Sequence, residues 1–334
     1  MQSSTLSTAG ATAGATAGAT PGLRADVVRG LSAPNKYLQS KYFYDATGDD
    51  LFRQIMQSPE YYLTRAEASI LRHRSGEILD VCTAAHPTFD IVELGAGDAS
   101  KTVYLLTEAA RRGCSARYFP IDISAHTIEY LHRTLPARLG GQLQVQGLTG
   151  EYFAMLARVR AETPRPKLVL FLGGTIGNMP PAAATAFCQE LRTYLNPGDW
   201  VLMGFDLKND PATVLAAYND RAGLTRAFNF NLLHRLNREL GADFQDANFR
   251  HYPVYDPMTG SCTSYLVSTC RHRVALADGP TFAFAAHEPI YMEVSQKYSE
   301  PEIAALAAAA GFEPTRAFFD DAHQFADVLW RVGG

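Results

Sequence analysis

Between residues 89 and 205, short apolar segments alternate with segments of helical periodicity. Segments of four to six apolar residues fit strands that are buried on both faces of a parallel sheet. They predict strands at Phe89–Leu94, Tyr118–Ile121, Leu143–Gln146, Leu168–Leu172 and Trp200–Phe205. The helices predicted between them are Lys101–Arg112, Ser124–Leu135, Tyr152–Arg158 and Ala182–Leu195. This alternation predicts an α/β fold with helices covering both faces of the sheet.

After residue 207 the pattern changes. Two helices are predicted at Pro211–Ala222 and Leu224–Leu240, and antiparallel strands follow at Phe249–Tyr255, Thr263–Cys270 and Thr281–Ala285. A last helix and two strands are predicted at Glu300–Ala310, Thr315–Phe319 and Phe325–Arg331. We interpret residues 208–297 as an insertion into the α/β domain, whose final elements return after it.

The first predicted strand ends in Glu93, and a turn with Gly95 and Gly97 follows. The next strand ends in Asp122. Glycines in such a turn let the backbone approach a ligand closely, and an acid at the neighbouring strand tip is placed to accept hydrogen bonds from a ribose. The pattern favours a nucleoside cofactor. NAD is the weaker interpretation, because the dinucleotide fingerprint has three glycines. A simple strand-to-helix turn is the non-functional alternative.

Further polar groups stand at the ends of predicted elements. Gly173 and Asn178 follow the fourth strand, where a tight turn with Asn178 as a helix cap is an equal alternative. Glu293 and Ser295 share a face of a strand-like segment, either beside a pocket or in solvent. Farther upstream, Thr64 and Glu67 have the spacing of a capping box.

Composition limits the classes of function. The net charge of −4 is spread along the chain, which argues against a nucleic-acid partner or a polybasic membrane patch. No apolar run is long enough for a membrane helix. Five widely spaced cysteines and scattered histidines show no metal-ligand spacing, so we expect no metal and a reducing cytoplasm. We expect a monomer that acts on a small molecule.

Several ordered motifs together resemble the histidine-specific S-adenosylmethionine (SAM) methyltransferases, which make trimethylhistidine (hercynine) toward ergothioneine. The glycine turn and Asp122 match motifs I and II of class I SAM methyltransferases. The matching segments, from about Lys36 to the C-terminus, are Lys41–Asp45, Pro59–Glu67, Glu93–Gly97, Phe171–Asn178, Asn237–Leu240 and Glu293–Ser295. The resemblance implies a Rossmann-like SAM-binding domain and methyl transfer to the α-amino group of histidine.

The resemblance also implies roles for individual residues. The predicted SAM site consists of Tyr44, Glu93, Gly95, Gly97, Lys101, Asp122, Glu151, Tyr152 and Gly173. Substrate contacts are implied for Tyr61, Asn178, Tyr218, Thr225, Ser264, Glu293 and Ser295. Among these, Tyr61, Asn178 and Tyr218 hold the amino and carboxylate groups, and Glu293 and Ser295 receive the imidazole. Tyr44 and Tyr61 are the candidates for orienting the amine and relaying its proton.

The chain departs from the family pattern at three places, and the last of them concerns side-chain selectivity. Glu151 and Tyr152 replace an Asp-Phe pair, and Gly174 replaces a serine. Ser264 falls where histidine-selective members have a methionine, so a tryptophan-like substrate is an alternative. A non-catalytic SAM-binding module is the second alternative, although a sensor has no need of residues that clamp an amino acid.

The predicted domain organisation combines the pattern with the resemblance. Residues 1–22 are a low-complexity tail expected to be disordered. Residues 23–66 form a helical segment that packs with the substrate domain, 67–207 the SAM-binding domain, 208–297 the inserted substrate-binding domain, and 298–334 the return to the Rossmann-like domain.

Overall fold

The computed structural model describes Thr20 and residues 22–333. The predicted disorder of residues 1–22 therefore lies outside the described residues, apart from Thr20 and Gly22. The α-helices within the described part are α1 (Leu23–Ser32), α2 (Ala46–Gln57), α3 (Leu63–Ala85), α4 (Val103–Arg112), α5 (Ala125–Arg138), α6 (Tyr152–Glu162), α7 (Pro181–Thr193), α8 (Pro211–Ala217), α9 (Leu224–Leu240) and α10 (Glu300–Ala309).

The strands of the described residues fall into one large sheet and two small ones. In chain order they are β1 (Phe89–Leu94), β2 (Ser115–Asp122), β3 (Gln144–Val145), β4 (Leu148–Thr149), β5 (Lys167–Phe171), β6 (Trp200–Asp206), β7 (Phe249–Asp256), β8 (Ser261–Ser268), β9 (His272–Ala275), β10 (Thr281–Phe284), β11 (Pro289–Gln296), β12 (Phe312–Phe319) and β13 (Phe325–Val332). The small sheets consist of β9 with β10, and of β7, β8 and β11.

The large sheet has the strand order β12-β13-β6-β5-β1-β2-β3, and β4 pairs with β2. The strands from β6 to β3 run parallel, whereas β13 is antiparallel to both β6 and β12. Strand order reverses between β1 and β5, and a crevice at the carboxyl ends of parallel strands forms at such a point. The topology directs attention to the ends of β1, β2, β5 and β6.

Apolar composition explains why the central strands lie in the middle of the sheet. Every residue of β1, β5 and β6 is buried, as expected for strands covered by helices on both faces. One large core lies against these strands, and it includes Trp330, whose ring centroid lies 5.7 Å from that of Phe205. The buried strands hold the backbone at the carboxyl edge in fixed positions.

The pattern-based prediction of an α/β fold with a largely parallel sheet is confirmed, with local corrections. The predicted strand 143–146 is only Gln144–Val145, and β4 follows it separately. The helix predicted for 211–222 ends at Ala217, and Asp220 lies in the connection to α9, where it accepts the backbone N–H groups of Leu224 and Thr225.

The capping-box prediction is wrong. Helix α3 begins at Leu63, so Thr64 lies inside its first turn and no side chain caps the helix. Glu67 is fully buried and forms an ion pair with Lys101. Its partner comes from another segment, which a local motif does not reveal.

The chain divides into two compact units. One consists of Met1–Phe52, Arg226–Tyr252 and Tyr265–Met292, and the other of Arg53–Thr225, Pro253–Ser264 and Glu293–Gly334. The large sheet belongs to the second unit. The domain organisation predicted from the sequence stays a prediction.

Candidate active site

The turn after β1 requires glycine. Gly95 and Gly97 have φ angles of 77° and 50°, which side-chain-bearing residues rarely adopt. A Cβ atom at Gly95 would also lie 2.9 Å from the hydroxyl oxygen of Tyr152. The Tyr152 hydroxyl can therefore lie this close to the backbone only because Gly95 has no side chain.

Asp122 connects this turn to the end of β2. Its Oδ2 accepts the N–H of Gly97 at 3.2 Å, and its Oδ1 accepts the N–H of Ser124 at 2.9 Å. The two predicted motifs are therefore adjacent in space. A carboxylate oxygen has more than one lone-pair direction, so Asp122 keeps acceptor capacity for a diol while it holds both loops.

Glu93 lies behind the glycine turn rather than on its surface. Its carboxylate is 3% exposed, accepts the Thr102 hydroxyl at 2.6 Å, and accepts the Tyr118 hydroxyl from β2. Burial raises the pKa of Glu93 to about 7, although these two hydrogen bonds and Lys101 act in the opposite direction. Glu93 joins β1, β2 and the start of α4 and acts on the site through the backbone.

Lys101 and Gly173 meet at Glu67. One Glu67 oxygen pairs with the Lys101 ammonium, and the other accepts the N–H of Gly173 at 2.6 Å. A fully buried Asp327 also faces this group, and burial together with Glu67 raises its pKa well above the usual range. The sequence interpretation missed Glu67 as a site residue. The available signal was an acid on the buried face of α3, beside Ile70 and Leu71.

Glu151 and Tyr152 stand at the start of α6. Tyr152 is half-buried, and burial, followed by the charge of Asp122, raises its pKa to about 12. Its ring lies edge-on to Phe171, with centroids 6.0 Å apart. Glu151 is exposed at the N-cap position and makes no capping hydrogen bond with the helix.

A second group of predicted residues meets around the end of β11. The Tyr218 hydroxyl lies 2.7 Å from Ser295 Oγ, and the Tyr61 ring lies edge-on to Tyr218 with centroids 6.2 Å apart. Lys297 donates to both hydroxyls and pairs with Asp206 at the carboxyl end of β6. This group therefore adjoins the same edge of the large sheet as the glycine turn.

Asn178 reaches this neighbourhood from the end of β5. It is exposed at the last position of a 3₁₀ helix, Thr175–Asn178. A Cβ atom at Gly177 would lie 2.7 Å from the Gln296 carbonyl oxygen, so the loop touches the end of β11. Gly174 has a φ of 65°, which explains the glycine where the family pattern has a serine.

The remaining predicted residues have separate surroundings. Glu293 is half-buried on β11, and Ser264 is 1% exposed on β8, where its hydroxyl has no hydrogen-bond partner within the described part of the chain. Thr225 is buried at the start of α9, with its N–H bound to Asp220. Tyr44 belongs to the other compact unit, where its ring packs against Phe52 and Phe228.

The glycine turn and its neighbours fit a nucleoside sulfonium. Gly97 leaves open space against the backbone, Asp122 offers acceptors for ribose hydroxyls, and Lys101, which is paired with Glu67, offers a cation to a carboxylate. Among the described residues, no cluster of His, Cys, Asp or Glu side chains could hold a metal ion. Within the same residues, no helix is both long and apolar enough to cross a membrane.

The strand order, the antiparallel β13 and the glycine turn followed by the β2 acid define a class I SAM-dependent methyltransferase fold. The sequence model of a family described as "Histidine-specific methyltransferase, SAM-dependent" matches residues 23–332. This chain belongs to that family.

Named relatives cover most of the chain. A histidine N-alpha-methyltransferase of Mycolicibacterium smegmatis is 39% identical over 305 residues, which is 91% of this chain and 92% of the relative. The enzyme of the same name from Mycobacterium tuberculosis is 38% identical and covers 91% and 92%. An L-tryptophan methyltransferase of Psilocybe serbica is 26% identical and covers 93% of both chains.

We predict that Gly95→Ala raises the Kd for SAM at least about tenfold, because the new Cβ meets the Tyr152 hydroxyl. Isothermal titration with SAM measures the effect. Gly113→Ala is the matched control, since Gly113 also has a positive φ, but a Cβ atom there would meet nothing within 4 Å beyond its chain neighbours. It should lower stability by about 1 kcal/mol and leave SAM affinity unchanged. Adding Tyr152→Phe should restore part of the affinity, and a Gly95→Ala protein with ordinary affinity would contradict the assignment.

Glu93 predicts a pH dependence of stability. Its folded-state pKa of about 7 lies above the ordinary value of 4.5, so the folded state binds the proton more tightly. The resulting stabilisation is complete below the unfolded-state pKa and is lost as pH rises through about 7. Between about pH 5 and about pH 8, the free energy of unfolding in urea should fall less for Glu93→Gln than for the unchanged protein.

The control for this experiment is Glu108→Gln. Two arginines lower the pKa of Glu108 to about 2, so this group does not titrate within the same pH window. Its substitution should leave the slope of stability against pH unchanged. Equal slopes for Glu93→Gln and the unchanged protein would show that Glu93 is already ionised throughout this range.

Proposed function

We propose that this chain transfers methyl groups from SAM to the α-amino nitrogen of L-histidine, up to three times, to give trimethylhistidine (hercynine). The observation that carries the proposal is the arrangement along one sheet edge. The glycine turn and Asp122 adjoin the ends of β1 and β2, and Tyr61, Tyr218 and Ser295 adjoin the end of β6 through Lys297 and Asp206. The similarity to histidine N-alpha-methyltransferases supports histidine as the substrate.

The reaction is an in-line displacement by the amine lone pair. An N–C bond forms as the S–C bond of SAM breaks, and the cofactor leaves as a neutral thioether. The nitrogen then loses a proton to water before each further transfer, and none of these steps needs a metal. The protein's contribution is position, which for two well-oriented reactants is worth roughly 7–11 kcal/mol. Gly95, Gly97 and Asp122 position the cofactor side, and the tyrosine group positions the amine. Burial favours the unprotonated amine that attacks.

The amino acid needs separate binding groups at its two ends. We assign Tyr61, Asn178 and Tyr218 to the amino and carboxylate groups, with Thr225 near them. Glu293 and Ser295 are assigned to the imidazole, because alternate residues on a strand share a face. Tyr44 is assigned to orienting the amine and the cofactor. The pKa of Tyr218 is well above its usual range because of burial and Asp206, so Tyr218 acts as a hydrogen-bond donor rather than a base.

Because the proposed substrate is a free amino acid, we propose no nucleic-acid or membrane partner. We also propose that the protein is a monomer. Five free cysteines, four of them buried, are consistent with a reducing compartment such as the cytoplasm.

A tryptophan-like amino acid is the second candidate substrate. Ser264 is small and buried on β8, at the position where histidine-selective members have a methionine, and a smaller side chain suits a larger ring. The similarity to an L-tryptophan methyltransferase points the same way. Glu293 argues against a purely apolar ring, because such a ring offers no imidazole-like N–H group to that carboxylate.

Mass spectrometry of amino acids incubated with SAM and the protein tests the substrate. We expect histidine to gain one, two and three methyl groups, while tryptophan and tyrosine stay unchanged. Methylated tryptophan with unmodified histidine would establish the second candidate. SAM binding by calorimetry without methylation of any of the three would favour a non-catalytic module.

We predict that Glu293→Ala raises the KM for histidine by one to two orders of magnitude and leaves SAM affinity unchanged. Loss of a hydrogen bond to a charged group costs about 1.5–3 kcal/mol, which corresponds to that range. Steady-state kinetics and titration with SAM measure the two effects. Unchanged histidine affinity would remove Glu293 from the imidazole site. Asp122→Ala provides the complementary control, because its main effect should be weaker binding of SAM.

A further inference from the structure

Lys297 is a fully buried lysine that none of the sequence motifs includes. Its ammonium nitrogen has three polar neighbours: Asp206 Oδ2 at 2.5 Å, Ser295 Oγ at 2.7 Å and the Tyr218 hydroxyl oxygen at 2.8 Å. An ammonium group has three N–H donors and no acceptor. Lys297 therefore donates to the hydroxyls of Tyr218 and Ser295, which are both assigned to substrate binding. Asp206, at the end of β6, holds the ammonium group in place.

The two hydroxyls also hydrogen-bond with each other. Tyr218 and Ser295 lie 2.7 Å apart, so the Lys297 nitrogen and the two oxygens form a triangle. The hydroxyls bring two hydrogens, and one of them lies between the oxygens. Lys297 has no lone pair to accept the other, so the second hydrogen points out of the triangle.

The oxygen that carries the outward hydrogen has its two lone pairs occupied. Tyr218 donates to Ser295 Oγ, so this oxygen is that of Ser295, which accepts one hydrogen from Tyr218 and one from Lys297. Tyr218 and Ser295 each retain 8% exposure as whole residues, whereas Lys297 has none. The Ser295 hydroxyl therefore offers one outward hydrogen-bond donor, whereas the Tyr218 oxygen accepts only from Lys297 and keeps a second lone pair.

A second layer of contacts keeps Lys297 charged. Tyr62 donates its hydroxyl to Asp206 Oδ1 at 2.7 Å, and Asn209 donates to the Tyr62 oxygen at 3.2 Å. These contacts suit an ionised Asp206 beside an ammonium group. Burial by itself lowers the pKa of Lys297, but the charge of Asp206 and the other neighbours outweighs it, and the pKa is raised.

We propose that Lys297 is a positioning residue that makes the Tyr218–Ser295 pair a fixed donor toward an acceptor atom of the amino-acid substrate. The acceptor is a carboxylate oxygen or the unprotonated ring nitrogen. This inference rests on the proposed function, because it takes the amino acid to bind beside Tyr218 and Ser295. Lys297 acts through these two hydroxyls without touching the substrate.

The test compares two buried lysines. Lys297→Met removes the ammonium and should raise the Kd for histidine about 10- to 100-fold, while SAM affinity stays within about twofold. Lys167→Met is the matched control. Lys167 is also fully buried, but it lies at the amino end of β5 and donates to the Arg165 carbonyl oxygen at 3.0 Å. The control should lose stability and keep histidine affinity.

Substrate analogues separate a positioning role from a structural one. Histidine, histidinamide and phenylalanine are titrated into each protein in the presence of S-adenosylhomocysteine. If the acceptor is the carboxylate, changing it to an amide should cost affinity in the unchanged protein and little in Lys297→Met. If the acceptor is the ring nitrogen, replacing histidine by phenylalanine should cost affinity in the unchanged protein and little in Lys297→Met. Equal penalties in both proteins for both analogues would overturn the proposal.

Two further variants keep the test decisive. Lys297→Arg retains the cation and its donors, and it should recover part of the histidine affinity. If Lys297→Met does not fold, the double variant Lys297→Met/Asp206→Asn removes both charges of the buried pair, a change that proteins often tolerate. The same analogue titrations then apply. Failure of the proposed function is separate, because the unchanged protein would then not methylate histidine at all.

Discussion

The structure depends on how carboxylates at the carboxyl edge of the parallel sheet obtain hydrogen bonds without water. An isolated ionised carboxylate is costly to bury, so each needs donors from the protein. Those donors come from segments far apart in the chain. The partners are Thr102 and Tyr118 for Glu93, Lys101 and Gly173 for Glu67, and Tyr62 and Lys297 for Asp206. Satisfying the carboxylates fixes the ends of β1, β2, β5 and β6 relative to one another.

This constraint serves methyl transfer because the reaction requires accurate placement more than it requires acid or base chemistry. The glycine turn leaves space at the backbone, while the buried acids behind it prevent that backbone from relaxing. Glu93 illustrates the energetic cost, since burial raises its pKa to about 7 and opposes its ionised form. Hydrogen bonds from Thr102 and Tyr118 offset part of this cost, and through them the same carboxylate joins β1, β2 and the start of α4.

The fold was predictable from the sequence because its signals are local. Runs of apolar residues indicated the buried strands, and helical periodicity indicated the connections that make adjacent strands parallel. The errors are local as well. Strand β3 is only two residues long, and Asp220 lies outside the helices, where it accepts the first N–H groups of α9. Short edge strands and side-chain caps carry little periodic signal, so the pattern of apolar residues does not place their ends.

By itself the sequence determined the repeating strand-helix unit of the sheet, the glycine turn with its second-strand acid, and the motifs by which the chain resembles its family. Each of these lies within a short segment, where backbone geometry is set by neighbouring residues. Only the tertiary structure decided that Glu67 binds Lys101, 34 positions away, and that Lys297 binds Tyr218, 79 positions away. A buried charge takes its partner from whichever segment the packing brings near, and no local pattern records that choice.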